Sequence, residues 1–380
     1  MEAYFDHAAT TYVLPEVAAL MMKLMQEDYG NPSSKHRKGM QAEQYVKTAA
    51  EQLADIMKVD ARNIVFTSGG TESNNMALIG AALANQRAGR HIISTPIEHA
   101  SVYNPLLYLE KQGFELTIID VDENGLVDPA KLKDMIRQDT ILVSIMAVNN
   151  EIGAVEPVAE CGRVIHETNP NTVFHVDGIQ AFGKLSIYPK RMGIDLYTIS
   201  GHKLHAAKGV GALYVNPKIK IRPLILGGGQ QKDMRSGTEN VPGIAGLGLA
   251  AKIAYDHLDE RTAHMRQLKE QLIAGATALE GVTSNTGDAP HIVSLSFRGV
   301  KSEVLLHALE DKGIYVSSGS ACSANHPGIS GVLKAIGLDS ELLDSTLRFS
   351  LAENNTSEEI EAAVQALAKL LPVLRRFIRK

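Results

Sequence analysis

Between residues 60 and 215, short runs of apolar and β-branched residues alternate with longer amphipathic stretches. The runs NIVFT, HIIST, ELTIID, ILVSIMAV, TVFHVD and DLYTIS each end at a polar or small residue. Apolar spacings of three and four predict helices over residues 39–58, 73–86 and 158–168. The alternation is typical of an α/β fold in which helices cover both faces of a mostly parallel sheet. Ligands bind such sheets at the carboxyl ends of the strands, so the residues that follow each run are candidates for a site.

The length of 380 residues predicts two domains, because a single core rarely grows to that size. A glycine-rich stretch at 226–243 is predicted to be an ordered loop, since glycine disfavours helix and strand. Residues 244–281 are predicted to form one long helical region. The strands HIVSLSF and TLRFSL and two helices, from Ser302 and from Ser357, come after it. We predict a large domain over residues 14–254 and a smaller α+β domain formed by residues 1–13 and 255–380.

The composition argues against several classes of protein. The net charge of -5 is small and the basic residues are scattered, which argues against nucleic-acid binding. The sequence has neither a secretory signal at MEAYFDHAATT nor a run of 18 apolar residues, so we expect a cytoplasmic protein without a membrane span. The two cysteines, Cys161 and Cys322, are too far apart for a CxxC motif. HExxH motifs and Cys/His clusters are missing from the sequence, so no metal site is predicted.

Three strand ends carry side chains that match the parts of one cofactor. After NIVFT comes SGGTESNN, in which Gly70 and Thr71 open a helix whose positive end suits a phosphate. Asp177 closes TVFHVD, where an acid can hold a protonated ring nitrogen, and Lys203 follows DLYTIS as a candidate amine nucleophile. Taken singly, these are equally a strand-to-helix turn, a helix cap and a solvated lysine. Together they supply the phosphate site, pyridinium partner and Schiff-base lysine that pyridoxal phosphate needs.

Four further residues are candidates for contacts with a cofactor or substrate. His99 in STPIEHAS either stacks on a cofactor ring or is a structural histidine, and Asn150 in NNEIG either donates to a ring hydroxyl or stabilises a turn. Arg348 in TLRFSL suits a substrate carboxylate or an ion pair between domains. Cys322 lies among small and turn-forming residues, where a thiol is reachable, whereas Cys161 in VAECGRVIHE is expected to be a packing residue.

These residues lie in blocks that together resemble the cysteine desulfurase family. The blocks are YGNPSSKH, SGGTESNN, EHAS, VNNEIG, HVDGIQ, SGHKLH, RSGTEN and SSGSAC, and the likeness extends from FDHAATT to RFSL. It implies the type I fold of pyridoxal-phosphate-dependent transferases. It also implies an enzyme that converts L-cysteine to L-alanine and holds the sulfur as a persulfide. The sulfur would then pass to an acceptor protein for iron–sulfur cluster assembly or tRNA thiolation.

The resemblance also implies roles for individual residues. Lys203 would carry the cofactor, His99 would stack on its ring and carry a proton, and Cys322 would receive the sulfur. Asn31 and Arg348 would hold the substrate carboxylate. Thr238 would reach the phosphate of a neighbouring subunit, which makes a homodimer part of the prediction. The remaining cofactor contacts would be Asp177 at the ring nitrogen, Asn150 and Gln180 at the ring hydroxyl, and Gly70, Thr71, Ser200 and His202 at or near the phosphate.

Other functions remain open beside the desulfurase. A selenocysteine lyase, or another pyridoxal-phosphate enzyme of the same fold, would use the same anchors. A non-catalytic sulfur-relay scaffold is disfavoured because both Lys203 and Cys322 are present. The chain also departs from many relatives after RFSL, where it has Ala352 and Glu353 in place of Gly-Arg.

Overall fold

A seven-stranded sheet forms the centre of the protein. The computed structural model describes residues 2–318 and 330–377. The strands of the described residues are β1 (Ala3–Tyr4), β2 (Ile64–Thr67), β3 (His91–Ser94), β4 (Glu115–Ile118), β5 (Thr140–Ser144), β6 (Val173–Asp177), β7 (Leu196–Ser200), β8 (Gly211–Val215), β9 (Val282–Ser284), β10 (Ile292–Phe297), β11 (Ile314–Tyr315), β12 (Ser317–Ser318) and β13 (Thr346–Ser350). In the central sheet the strand order is β2-β8-β7-β6-β5-β3-β4; β8 runs antiparallel to both neighbours and the pairs from β7 to β4 are parallel. This confirms the predicted mostly parallel sheet.

Helices cover both faces of the central sheet. The α-helices of the described residues, which include those that pack on the second sheet, are α1 (Pro15–Gln26), α2 (Arg37–Met57), α3 (Gly70–Asn85), α4 (Ala100–Lys111), α5 (Pro129–Met135), α6 (Val158–Thr168), α7 (Val241–Asp256), α8 (Leu258–Thr277), α9 (Ser302–Glu310), α10 (Gly331–Ala335) and α11 (Ser357–Leu374). Side chains alternate along each strand, so Ile92 packs into the core under α3 and α4 while Ile93 packs into the core on the opposite face. None of the helices in residues 2–318 and 330–377 combines the length and apolar character that a membrane span requires.

A second, antiparallel sheet has the order β12-β13-β10-β9. Its core contains Phe297 and Phe349, and it also draws in Phe5 from the start of the chain. The members of this core come from residues 3–5 and 265–371. The division at residues 14 and 254 stays a prediction.

The prediction of one long helical region over 244–281 is wrong. Two helices, α7 and α8, meet at His257, whose φ of -126° and ψ of 26° are not helical. The break has a packing reason, because the two helices serve different cores. Leu247 of α7 lies in the core of the central sheet, whereas Leu268 of α8 lies in the core of the second sheet.

The glycine-rich stretch is an ordered loop over residues 226–240, and α7 begins at Val241. The side-chain oxygen of Gln231 accepts a hydrogen bond from the backbone N–H of Phe66 at 3.0 Å, on the edge strand β2. Arg235 donates from Nε to Oε1 of Glu72 at 2.7 Å, in the first turn of α3. The loop is therefore fastened beside the beginning of α3.

The first residues of the chain connect the two cores. Strand β1 pairs in parallel with β11, and the backbone N–H of Ala8 donates to Oγ of Ser350, on β13, at 2.8 Å. The N–H of Thr11 then donates to the carbonyl of His202 at 2.9 Å. This N-terminal segment, residues 3–11, therefore passes directly beside Lys203.

Candidate functional site

A cavity of about 270 Å³ lies at the carboxyl ends of β2, β6 and β7. Its position is the one expected for a ligand in a sheet of this kind. The predicted site residues that line it are Gly70, Thr71, His99, Asn150, Asp177, Gln180, Ser200, His202, Lys203 and Arg348. Residues from six separate segments therefore meet in one place.

One wall of the cavity is the beginning of α3. The preceding residue, Gly69, has φ 153° and ψ -178°, a conformation that is essentially confined to glycine, and no side chain caps the helix there. The first N–H groups of α3 and the hydroxyl of Thr71 are thus available to an anion. A Cβ on Gly70 would lie 2.2 Å from Cδ1 of Ile179, which also lines the cavity. Burial lowers the pKa of His202, on the same wall, to about 4, so its ring is neutral at physiological pH.

Asp177 is a buried carboxylate at the end of β6. It accepts hydrogen bonds from Nδ2 of Asn74 at 2.8 Å and from the backbone N–H of Ile179 at 2.9 Å. Burial raises its pKa, although these hydrogen bonds and the neighbouring His99 and Lys203 oppose the rise. A cationic group in the cavity would favour the ionised form of this acid further.

Lys203 ends a short 3₁₀ turn, Gly201–Lys203, directly after β7. Its Nζ donates to the carbonyl oxygens of Ala8 at 2.5 Å and Ala9 at 2.7 Å. The side-chain amide of Gln180 also donates to the carbonyl of Ala8, at 3.0 Å, and its oxygen contacts Nε2 of His291 at 3.2 Å. The N-terminal segment therefore holds both side chains at the cavity.

His99 is the N-cap of α4 and lines the cavity. Its Nδ1 lies 2.8 Å from Oγ of Ser101 and accepts a hydrogen bond from the Ser101 backbone N–H at 3.1 Å. Burial is the main cause that lowers the pKa of His99; Lys203 and Arg348 lower it further, and Asp177 partly offsets them. The imidazole is therefore favoured in its neutral form.

Arg348 is buried on β13 and lies beside Asn150. Its Nη1 donates to the carbonyl of Asn150 at 2.8 Å, and its Nη2 pairs with Oδ1 of Asp6 at 2.8 Å. Its Nε is buried and meets no hydrogen-bond acceptor among the described residues. A guanidinium with an unused buried donor at a cavity wall is suited to bind a carboxylate.

Two predicted residues that the structure describes, Asn31 and Thr238, are not among those that line the cavity. Asn31 is exposed and its Oδ1 accepts a hydrogen bond from the N–H of Ser33 at 2.9 Å. Thr238 is exposed in the glycine-rich loop. Cys322 lies outside the described residues, in the segment 319–329. Cys161 is a buried free thiol on α6, and burial raises its pKa to about 12, as expected for a packing residue.

Asn74 and Ser101, which lie inside the blocks SGGTESNN and EHAS, are site residues that were not predicted from the sequence. Both are buried, and their side chains meet at 2.9 Å between Asp177 and His99. The available signal was positional: Ser101 follows His99 by two residues at a helix start, and Asn74 falls one turn into α3. The Ala8 and Ala9 carbonyls were also missed, because backbone contacts leave no mark on the sequence.

Comparisons with known proteins show what the chain is similar to. A family model, "Aminotransferase class-V", matches residues 3–363. The chain is 45% identical over 381 residues to the "Cysteine desulfurase IscS" of Photobacterium profundum, covering 98% of this chain and 93% of that protein.

Solved structures give the same result. A structure described as "NIFS-LIKE PROTEIN" has a TM-score of 0.93 and 37% sequence identity, covering 98% of this chain and 100% of the other. A structure described as "SspA in complex with cysteine" has a TM-score of 0.83 and 34% identity, covering 93% of this chain and 100% of the other. The predicted type I fold and the family resemblance are thereby confirmed.

Proposed function

Because this chain belongs to the class-V aminotransferase family and is a cysteine desulfurase of that family, we propose that it moves sulfur from free L-cysteine onto Cys322, with pyridoxal phosphate bound beside Lys203. The observation that carries this proposal is the meeting of Lys203, Asp177 and the beginning of α3 in one cavity. An amine, an acid and an anion site are the three anchors of this cofactor.

The described residues fit pyridoxal phosphate. Asp177 is a buried carboxylate, and a protonated ring nitrogen would offset the cost of its burial. The beginning of α3, with Thr71, Ser200 and His202, would hold the phosphate. Asn150 and Gln180 line the cavity as candidate partners of the ring hydroxyl. When bound, pyridoxal phosphate supplies an electron sink for the bonds at the Cα of the substrate.

Lys203 has two tasks in this proposal. It would hold the cofactor aldehyde and, once the amino group of the substrate has displaced it, would move the proton of the substrate Cα. The carbonyls of Ala8 and Ala9 orient its amine on one side of the cavity. Lys203 is therefore positioned by backbone atoms, which do not titrate.

Substrate binding and proton transfer fall to two further residues. Arg348, which lines the cavity, would bind the substrate carboxylate through its guanidinium, and its contacts with Asn150 and Asp6 keep that group in place. His99 would carry a proton at the sulfur of the substrate. The cysteine complex of the SspA structure gives a precedent for this ligand in a similar fold.

Cys322 is the proposed sulfur acceptor within the chain. Its thiolate would form an S–S bond to the substrate sulfur as the C–S bond breaks, and the carbon fragment would keep the electron pair and leave as alanine after protonation. Ser317, on β12, pairs with Arg348 at the cavity wall, and Cys322 follows Ser318 by four positions in the sequence. At the other end of that segment Ser330 donates to Glu151, next to Asn150. Cys161 is buried and unsuited to the role.

The test uses the purified chain with pyridoxal phosphate, L-cysteine and a reductant. The protein should be yellow and should release alanine and sulfide. Cys322→Ala should abolish sulfide release and keep the colour, whereas Cys161→Ala, the matched control, should keep both. Lys203→Ala should prevent covalent attachment of the cofactor, whereas Lys208→Ala, at an exposed lysine five residues away, should not. A Cys322→Ala protein that releases sulfide at the normal rate would refute the assignment.

We also propose that the chain works as a homodimer. Thr238 is exposed and does not line its own cavity. A groove that shares Thr71 and His99 with the cavity is lined by Tyr108 and Leu224, which are 49% and 38% exposed. A neighbouring copy would cover this surface and bring its Thr238 to the phosphate.

Mixing two variants tests the shared site. Thr238→Ala and Lys203→Ala chains should each bind the cofactor poorly as separate dimers. A mixed dimer would contain one site with both native residues, so mixing should restore up to a quarter of wild-type activity, since about half of the randomly formed dimers are mixed. No recovery on mixing would rule out sharing.

The identity of the sulfur acceptor and the cellular location of this chain are also proposals. We propose that a separate acceptor protein, a cluster scaffold or a tRNA-thiolation enzyme, takes the persulfide sulfur in the cytoplasm. Radioactive sulfur placed on Cys322 and followed into a cell extract identifies the protein that receives it. Turnover of selenocysteine beside cysteine tests the lyase alternative.

A further inference from the structure

Three hydrogen bonds join Asp177 to His99 through two side chains to which the proposed mechanism gives no task. Nδ2 of Asn74 lies 2.8 Å from Oδ2 of Asp177 and 2.9 Å from Oγ of Ser101. Oγ of Ser101 lies 2.8 Å from Nδ1 of His99. Asn74 and Ser101 are buried, so water does not compete for these contacts.

The direction of each hydrogen bond follows from the donors and acceptors. The two N–H groups of Asn74 meet two acceptors, the Asp177 carboxylate and the Ser101 hydroxyl oxygen. The reverse orientation of the amide would bring its oxygen against the carboxylate. In the observed orientation the Asn74 oxygen is buried and has no partner among the described residues, so the two acceptors alone orient the amide.

The Ser101 hydroxyl proton is then directed at His99. Its oxygen already accepts from Asn74, and Nδ1 of His99 is the neighbour left for its proton. The backbone N–H of Ser101 also points at Nδ1, at 3.1 Å. Two donors facing Nδ1 exclude a proton on that nitrogen, which places the proton of the neutral ring on Nε2.

We propose that Ser101 and Asn74 are positioning residues that hold His99 as the Nε2–H tautomer, so that Nε2–H can donate a hydrogen bond to the sulfur of the substrate. The inference rests on the proposed desulfurase function, because that function brings the sulfur of L-cysteine to the cavity that His99 lines. Asp177 has two tasks in this scheme, since the carboxylate that would face the cofactor also orients Asn74.

The test is ¹⁵N nuclear magnetic resonance of the histidine side chains in cofactor-free protein. The chain has 13 histidines, and subtracting the spectrum of His99→Gln identifies the signals of His99. Wild-type His99 should show an acceptor-type Nδ1 and a protonated Nε2. In Ser101→Ala the shift difference between the two nitrogens should fall by at least about half, because tautomers then exchange. Ser101→Thr keeps the hydroxyl and should restore the wild-type pattern.

A matched control is available in the same sheet. Oγ of Ser144 contacts Nδ1 of His175, also at 2.8 Å, but neither residue lines the cavity. Ser144→Ala should leave the His99 signals unchanged. With cofactor and L-cysteine, Ser101→Ala should lower kcat about tenfold and change KM by less than about twofold, since the loss concerns a hydrogen bond to the reacting sulfur.

Either of two results would overturn the inference. A wild-type His99 with its proton on Nδ1 overturns the inference, even if Ser101→Ala does not fold. Unchanged His99 signals in a folded Ser101→Ala protein overturn it as well. Because the spectra need neither cofactor nor turnover, they test the tautomer independently of whether the chain desulfurates cysteine.

Discussion

Replacing Glu353 by Gln should destabilise the protein by about 2 kcal/mol. Oε2 of Glu353 lies 2.8 Å from Nη2 of Arg261, on α8, and 3.3 Å from Nε2 of His205, two residues after Lys203. At an effective dielectric constant of about 20, the ion pair is worth roughly 6 kcal/mol before desolvation. Loss of one partner from a buried pair costs about 3–5 kcal/mol, and the 24% exposure of Glu353 reduces that cost.

The assay is urea unfolding of cofactor-free protein, followed by circular dichroism. Burial raises the pKa of Glu353, but His205 and Arg261 outweigh it and hold the pKa far below its usual value. The stability gained from this depressed pKa is fully present above the unfolded pKa of about 4.3 and disappears as the pH falls towards the folded pKa. Wild type and Glu353→Gln should therefore differ by a constant amount above about pH 5 and converge in acid.

A double-mutant cycle with Arg261→Met isolates the pair. The coupling energy should exceed about 1 kcal/mol, whereas Glu341→Gln, at an exposed ion pair with Arg298, should change stability by less than about 0.5 kcal/mol. A coupling energy between Glu353 and Arg261 below about 0.5 kcal/mol, the range of an exposed ion pair, would refute the reasoning. If it is confirmed, the departure from Gly-Arg after RFSL is a stabilising contact beside the site.

Three other substitutions test the cavity. Asp177→Asn should raise the melting temperature of cofactor-free protein at pH 7 and should lower turnover at least about 100-fold. Burial raises the pKa of Asp177, so the native carboxyl destabilises the fold as the pH rises through that pKa, and the amide removes this cost; an unchanged melting temperature would contradict the argument. Arg348→Lys should raise KM for L-cysteine about 10- to 100-fold in steady-state alanine assays, and a change confined to kcat would argue against carboxylate binding. Gly70→Ala should weaken cofactor binding about tenfold in an absorbance titration, because its Cβ would push Ile179 into the cavity; wild-type affinity would show that Ile179 moves elsewhere.

Much of the fold was predictable because the apolar pattern determines which elements form. The predicted helix over 158–168 has the same bounds as α6, and β6 ends at Asp177 as expected. The helix break at His257 was not predictable, since both sides of it have helical spacing and only the existence of two cores separates them. Periodicity reports which face of a helix is apolar but not the core on which that face packs.

The site was predictable to the extent that its residues follow strands. Asp177 ends β6 and Lys203 follows β7, and because these neighbouring strands are parallel their carboxyl ends meet. The hydrogen bonds that connect these residues were not predictable, because they depend on side-chain direction and on contacts between distant parts of the chain. Lys203 meets the carbonyl of Ala8, 195 positions away, and Asn74 meets Asp177 across 103 positions.

The path of the N-terminal segment affects the stage of synthesis at which the protein can bind its cofactor. The N–H of Ala8 is bonded to Ser350, 342 positions later, and Ala3 pairs with Ile314. A nascent chain that still has its last strand inside the ribosome therefore lacks the Ser350 partner of Ala8, although the central sheet is complete in sequence by Val215. The carbonyls that orient Lys203 would come into place only near the end of translation, which would delay cofactor capture until almost the whole polypeptide has emerged.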